Sequence, residues 1–416
     1  MLYTIPGLFL QLSTFNYDIK YHMPEIKEWN FTLGVNGMYQ YNNVTNGTDF
    51  VIPSYHQFDI GPFAVVKRSF GKFDLEAGLR YDFRIFDNQQ LYTKPNPATG
   101  LNMPVTGADT VGSSKIFSAF HTLFQGVSGS IGATYNVTNQ LCIKLDLARG
   151  IRAPNIAEIS ANGVHPGTNI YQLGNSGFKP EFSLQPDLGV AFNSKYVVFS
   201  VDVFYNYLQN YVYNQKLLGA NGHDSVIVQG NQTFQFESAR AQLYGAEFSL
   251  DIHPFKSLHI DNGLSLVYGD FLGKPGQTVA DSERYLPLIP PLHGTSEVRY
   301  DFTVKPAHLL NAFVKVGIVY YAPQNRVYSA FGTETSTPGY VLLNAGAGAS
   351  ITNTKGKTVV SIYILASNLL NTAYQDHLSR LKYFEFYPNN PTGHSGIYNM
   401  GRNISFKLDF PLDFKI

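Results

Sequence analysis

Residues 72–86 read KFDLEAGLRYDFRIF. Phe73, Leu75, Ala77, Leu79, Tyr81, Phe83 and Ile85 alternate with Lys72, Asp74, Glu76, Gly78, Arg80, Asp82 and Arg84. A period of two belongs to a β-strand; on a helix the charges would scatter around the axis. The strand has one ionic face and one apolar face, and each needs its own medium. A soluble sheet buries the apolar face in a core, whereas a membrane barrel turns it to hydrocarbon and keeps the ions around a wet lumen.

The rhythm recurs along the chain. Leu141, Ile143, Leu145 and Leu147 alternate with Cys142, Lys144 and Asp146, and Val197, Phe199, Val201 and Val203 with Ser200 and Asp202. Tyr244, Ala246, Phe248, Leu250 and Ile252 alternate with Gly245, Glu247, Ser249, Asp251 and His253, and Ile404, Phe406, Leu408 and Phe410 with Ser405, Lys407 and Asp409. No stretch shows a convincing helical period. Short turns near 22–28, 70–72, 137–140, 193–195, 253–257, 303–308 and 353–357 alternate with long polar loops near 42–54, 86–116, 150–181, 208–233, 269–291, 322–339 and 371–400. A barrel in an outer membrane sorts its connections in this way, with tight turns on the periplasmic side and long loops outside. The reading is therefore an all-β, antiparallel transmembrane barrel occupying 1–416 as one domain. Its lumen would be lined by Lys72, Asp74, Glu76, Arg80, Asp82, Arg84, Glu247, Lys407 and Asp409.

Seven turns and seven loops separate about fifteen strands. Single-chain bacterial barrels have an even number, so the chain is expected to be the C-terminal part of a larger barrel, short of an odd number of strands. The opening MLYTIPGLFLQLSTF has no basic n-region or small-residue cleavage site, so it is not read as a signal peptide. No stretch approaches the ~20 apolar residues of a membrane helix.

Composition narrows the function. Thirty basic and thirty acidic residues balance, which leaves no field to attract nucleic acid. Charged residues make up 14% of the chain, below the ~25% usual in soluble domains. The one cysteine, Cys142, excludes an intrachain disulfide framework and has no nucleophile motif around it. GxSxG, HExxH, GxxxxGK[ST] and CxxC are all lacking, so the chain is not read as an enzyme, and no cofactor is expected.

Seven segments, in order, carry a resemblance. They are ARGIRAPNIAEIS (148–160), YQLGNSGFKPE (171–181), YGAEFSL (244–250), RYLPLIPPLHG (284–294), TPGYVLLNAGAG (337–348), ASNLLNTAYQDHLS (366–379) and MGRNISFKLDF (400–410). Together they resemble the C-terminal barrel of TonB-dependent outer-membrane receptors, especially the Bacteroidetes-type ones. The resemblance implies a 22-stranded barrel, of which this chain would hold the last fifteen strands, with the plug domain and TonB box outside it. Met400 stands where the family has a proline, and the chain ends DFPLDFKI rather than on an aromatic. Phe410 or Phe414 would then serve as the signal to the barrel assembly machinery.

What the resemblance implies is uptake, driven by TonB–ExbB–ExbD through the plug, of a metal chelate such as a siderophore or haem-like complex, or a similar bulky nutrient. Ligand contacts are expected on the long outer loops, at Arg152, His165, Tyr171, His377, Arg380, Tyr383 and His394. Arginine and tyrosine suit an anionic or catecholate chelate. Alternatively, His165, Asp376, His377 and His394 would ligate a free metal such as zinc; the DHLSRLKY and VHPGTNIYQLGN segments look similar to those of receptors associated with zinc. A passive porin or adhesin barrel and a soluble β-rich binding protein are the other readings.

Overall fold

The computed structural model describes residues 7–44, 47–302, 308–332, 334–383 and 396–412. The strands, in chain order, begin with β1 (Leu10–His22), β2 (Trp29–Val44), β3 (Tyr55–Phe70) and β4 (Phe73–Asn88). Three short strands follow: β5 (Leu91–Pro95), β6 (Asn102–Val105) and β7 (Ser114–Phe117). Next come β8 (Phe120–Asn136), β9 (Leu141–Arg152), the short β10 (Asn162–His165) and β11 (Ile170–Leu173), and β12 (Glu181–Asn193). The rest are β13 (Val197–Lys216), β14 (Thr233–Phe255), β15 (Leu258–Gly273), β16 (His293–Asp301), β17 (Leu309–Tyr321), β18 (Tyr340–Thr352), β19 (Thr358–Ser367) and β20 (Asn403–Asp409).

Setting aside the five short strands, fifteen pair in sequence order, each antiparallel to the last. Their connections alternate between turns of two to seven residues and loops of ten to thirty-five, reproducing the barrel pattern of the sequence. β1 begins at the loop end and β20 finishes at the turn end, so the two edge strands run the same way. They cannot close antiparallel on each other, and no β1–β20 pairing occurs among the described residues. In planar bilayers the chain alone is expected to give no channel of defined conductance, because two unpaired edges leave the wall open. Reproducible single-channel steps would show that the edges had found partners.

The sheet has two dissimilar faces. The apolar row stands clear of other parts of the chain: Leu79 is 63% exposed, Ile131 62% and Phe406 63%. Phe73, Phe199, Phe248 and Phe406 are not among the buried core residues. Aromatic residues fall in bands on this face. Tyr205, Tyr244 and Tyr268 lie side by side on β13, β14 and β15 toward the loop end, and Phe70, Phe73 and Tyr135 cluster at the turn end.

Many ionic and amide groups on the other face pair with one another. Several pairs sit two residues apart on a single strand: Lys20–Asp18 at 2.8 Å, Arg80–Asp82 at 2.6 Å and Arg299–Asp301 at 2.9 Å. Across strands, Arg84 forms a two-pronged bridge to Asp59 at 2.8 and 2.7 Å, Glu76 meets Lys67 at 2.8 Å, and Asp74 accepts from Ser69 and Asn136. Lys407 lies over the Tyr363 ring. Lys72 departs from the expected lumenal row: it sits in the β3–β4 turn and donates to the carbonyl of Val137 in the next turn. Gly61 lets the Arg80 guanidinium lie flat against β3, where a Cβ would collide with it.

The apolar cores lie at the loop end, where loops fold against the polar row. Tyr55, Phe86, Phe124, Ile156, Ile159 and Phe178 form one, and Leu208, Ala239, Ala241, Phe271, Leu286 and Tyr328 another. Three features depart from the sequence reading. The loop after β4 holds a three-stranded sheet, ordered β6-β5-β7. The loop after β9 holds a short helix, α1 (Ile156–Ser160), and the β10–β11 hairpin, whose β11 runs parallel to β14. β13 and β14 extend to 20 and 23 residues, well past the ~9–11 of a membrane strand.

Candidate functional site

A cavity of about 730 Å³ opens on the polar face of the first six barrel strands. Arg80, Asp82 and Arg84 of β4, Asp59 of β3, Asn36 of β2 and Arg152 of β9 line it. The wall holds rigidly because each cation is tied down. Arg80 bonds Asp82 at 2.6 Å and Asn36 at 2.5 Å, while Gln57 supports Asp59 at 2.9 Å.

Arg152 links this wall to the loops above. Its Nη1 meets both carboxylate oxygens of Glu158, at 3.0 and 2.9 Å, and its Nε and Nη2 meet Glu181 at 3.4 and 3.2 Å. Glu158 is also the third residue of α1 and closes a capping box: Asn155 accepts from its N–H, and its carboxylate accepts from the Asn155 N–H. The N-x-x-E spacing signals that helix start, and the sequence reading passed over it. Arg152 thus joins β9, α1 and β12. Arg152→Lys is expected to cost about 1–3 kcal/mol through the lost forked hydrogen bonds, read as a lower denaturation midpoint with protease cleavage concentrated at 153–180.

The other residues expected at the site are dispersed. His165, at the exposed end of β10, accepts from the N–H of Gly167 at 3.2 Å in a tight turn. The Tyr171 hydroxyl donates to Asn162 at 2.8 Å, and burial raises its pKa. Arg380 is exposed. Tyr383 ends the short 3-10 turn Arg380–Tyr383, its side chain outside the described set, and His394 lies outside the described residues. Asp376 accepts from the Tyr340 hydroxyl at 3.1 Å and from the N–H of Leu378 at 2.8 Å.

His377 is 2% exposed and sits in a polar network that no local sequence pattern announces. Its Nε2–H donates to Glu334 at 2.8 Å, which leaves Nδ1 to accept from the Thr337 hydroxyl at 3.0 Å. Buried Lys382 donates to the His377 carbonyl. Glu334 in turn accepts from the backbone N–H of Leu288 and of Tyr328, both at 2.9 Å. Burial alone would raise the Glu334 pKa; the bonds from His377 and the two amides outweigh it and hold the group below the usual carboxylate range. Three outer loops are locked together here, and both ring nitrogens of His377 are occupied. Among the described residues, no group of three His, Cys, Asp or Glu side chains is placed to hold a metal.

Solved structures share this architecture at low identity. The copper transporter OprC superposes with a TM-score of 0.71 and 16% identity, over 96% of this chain and 57% of that one. The ferric yersiniabactin uptake receptor FyuA from Yersinia pestis gives 0.59 and 13%, over 97% and 55%. A double mutant of the Serratia marcescens hemophore receptor HasR, in complex with its hemophore HasA and heme, gives 0.64 and 15%, over 96% and 59%. The chain thus spans between half and two thirds of each of these proteins. Residues 6–369 match the family model described as TonB dependent receptor-like, beta-barrel. Fifteen alternating strands, loops gathered on one rim and that match over most of the length lead to one assignment: the chain belongs to the TonB-dependent receptor β-barrel family.

Proposed function

We propose that this chain is the barrel wall of an outer-membrane receptor that imports a metal chelate, or a nutrient of similar bulk, at the expense of TonB-transmitted energy. The observation that carries the reading is the division of the sheet. Its apolar row is unpaired and suits hydrocarbon, while the opposite row is an ion-paired wall around a 730 Å³ cavity beneath inward-folded loops. Hydrocarbon on one side and water on the other satisfies both rows. The ligand would meet the loop rim first. A plug domain filling the bore, TonB–ExbB–ExbD acting on it and the barrel assembly machinery reading the last strand complete the proposed cycle, since the relatives above are copper, ferric-chelate and haem proteins of the same fold.

A chelate is better supported than bare zinc. Free-metal ligation by His377 would require it to leave Glu334 and Thr337, and a buried carboxylate left unpaired is costly. The test is accumulation of radiolabelled iron, copper and zinc, free or chelated, by cells with and without the gene encoding this chain. Loss of uptake of one chelate, abolished equally by a protonophore, is the expected result. Uptake indifferent to the protonophore would make the barrel a passive pore.

A further inference from the structure

A second, smaller cavity, of about 170 Å³, lies in the rim where β13, β14 and β15 meet the β15–β16 and β17–β18 loops. Tyr213, Phe271 and Tyr328 supply ring surface, and Glu283, Gln277 and Lys274 supply polar groups. The rings pack as a unit, with Tyr213–Phe271 centroids at 4.8 Å and Phe271–Tyr328 at 5.8 Å.

Charge decides what the cavity can hold. Lys274 is committed to Glu237, at 3.1 Å. Among the described residues Glu283 has neither ion pair nor side-chain hydrogen bond, so the cavity carries one uncompensated negative charge. Tyr328 is 4% exposed, and its hydroxyl has no hydrogen-bond partner among the described residues. The hydroxyl is not sealed in; it opens on the cavity, where it is free to accept a hydrogen bond from an occupant. Burial, then the charge of Glu283, raises the Tyr328 pKa, as expected for a phenol that faces this carboxylate. The neighbouring rim shows the same ingredients already in use. Arg326 lies between the Tyr268 and Tyr285 rings, 4.5 and 4.3 Å from their centroids, and bonds Asp270 at 2.6 Å. There the chain supplies its own cation to two aromatic rings and a carboxylate. In the smaller cavity the lining lysine, Lys274, is turned to Glu237 instead.

We infer that this cavity is a cation subsite for a primary alkylammonium group, with the ammonium donating to Glu283 and the Tyr328 hydroxyl and its carbons lying against Tyr213 and Phe271. A primary rather than quaternary ammonium fits because the two free groups, a carboxylate and a hydroxyl, can each accept a hydrogen bond, which N–H donors supply and methyl groups do not. Binding itself is independent of transport; only the idea that this amine belongs to the imported nutrient rests on the uptake reading.

The test is calorimetric titration of the detergent-folded full chain with butylammonium, butyltrimethylammonium and the neutral 1-pentanol. Butylammonium should bind saturably, at least tenfold more tightly than 1-pentanol. Glu283→Gln should weaken it about tenfold, and Tyr328→Phe should weaken butylammonium more than the trimethyl analogue, with near-UV circular dichroism confirming that each variant is folded. Equal binding of the alcohol, or no effect of Glu283→Gln in a folded variant, overturns the inference. So does binding that appears only after Lys274→Met, which would mean that the chain's own lysine occupies the cavity. Cells that import no chelate while butylammonium still binds would overturn the uptake reading alone.

Discussion

Glu334→Ala should destabilise the outer loops by about 3–5 kcal/mol, the range for removing one partner from a buried charged network. It leaves the Nε2–H of His377 and the amides of Leu288 and Tyr328 without an acceptor, in a site where His377 is 2% and Lys382 4% exposed. Hydrogen exchange at Leu288 and Tyr328 should accelerate, and protease sites should open at 322–339 and 376–383. Glu334→Gln keeps an acceptor oxygen and should cost less. Acid should reproduce the effect in the wild type. Glu334 has a folded pKa below its ordinary 4.5, so its stabilisation is complete above about that pH and is lost as pH falls through the lower folded value. Loops as protected in Glu334→Ala as in the wild type at neutral pH, or an acid response that Glu334→Ala leaves unchanged, would remove this network from the account.

Leu79→Arg should have an effect of similar size by another route. Leu79 is 63% exposed on the apolar row of β4. An arginine on the lipid face costs roughly 2–4 kcal/mol near the bilayer midplane, falling toward the interfaces. The neighbouring residue supplies the control. Gly78 points to the polar side, and a Cβ there would find its nearest atom, Val65 Cγ2, at an ordinary 3.7 Å. Gly78→Asn should therefore change stability by less than about 0.5 kcal/mol. Urea titration of the chain in lipid vesicles separates the two. Equal tolerance at 78 and 79 would mean that the apolar row does not meet hydrocarbon.

Much of this wall could be read without coordinates because its information is local. Phe73 through Ile85 alternate within one strand, and each turn or loop is bounded by its own Gly, Pro and Asn residues. The reading stumbled where alternation is interrupted. In β13 the register shifts between Leu208 and Tyr211, with Asn210 at φ 59°. This bulge changes the parity of the residues after it, so YVYNQK looked like loop although it pairs with β14. The β5–β6–β7 sheet was hidden by strands of four or five residues containing Pro95 and Pro104. At the rim, Arg152 was legible as a candidate, but its partners Glu158 and Glu181 lie six and 29 residues away. The Glu334–His377 contact spans 43 residues, across two loops. Nothing in DHLSRLKY distinguishes a histidine that faces solvent from one locked beneath the surface.

The same-strand pairs Lys20–Asp18, Arg80–Asp82 and Arg299–Asp301 bear on how such a wall reaches its membrane. Isolated ions are expensive to carry through a low-dielectric layer, and the expense falls when opposite charges travel together. A ribbon whose lysine or arginine is matched two residues along arrives already self-neutralised, before any neighbour has docked beside it. Cross-strand bridges such as Arg84–Asp59 offer no such help until two strands have met. The wall therefore has its counter-ions written partly into single ribbons, which favours delivery strand by strand over delivery as a finished cylinder.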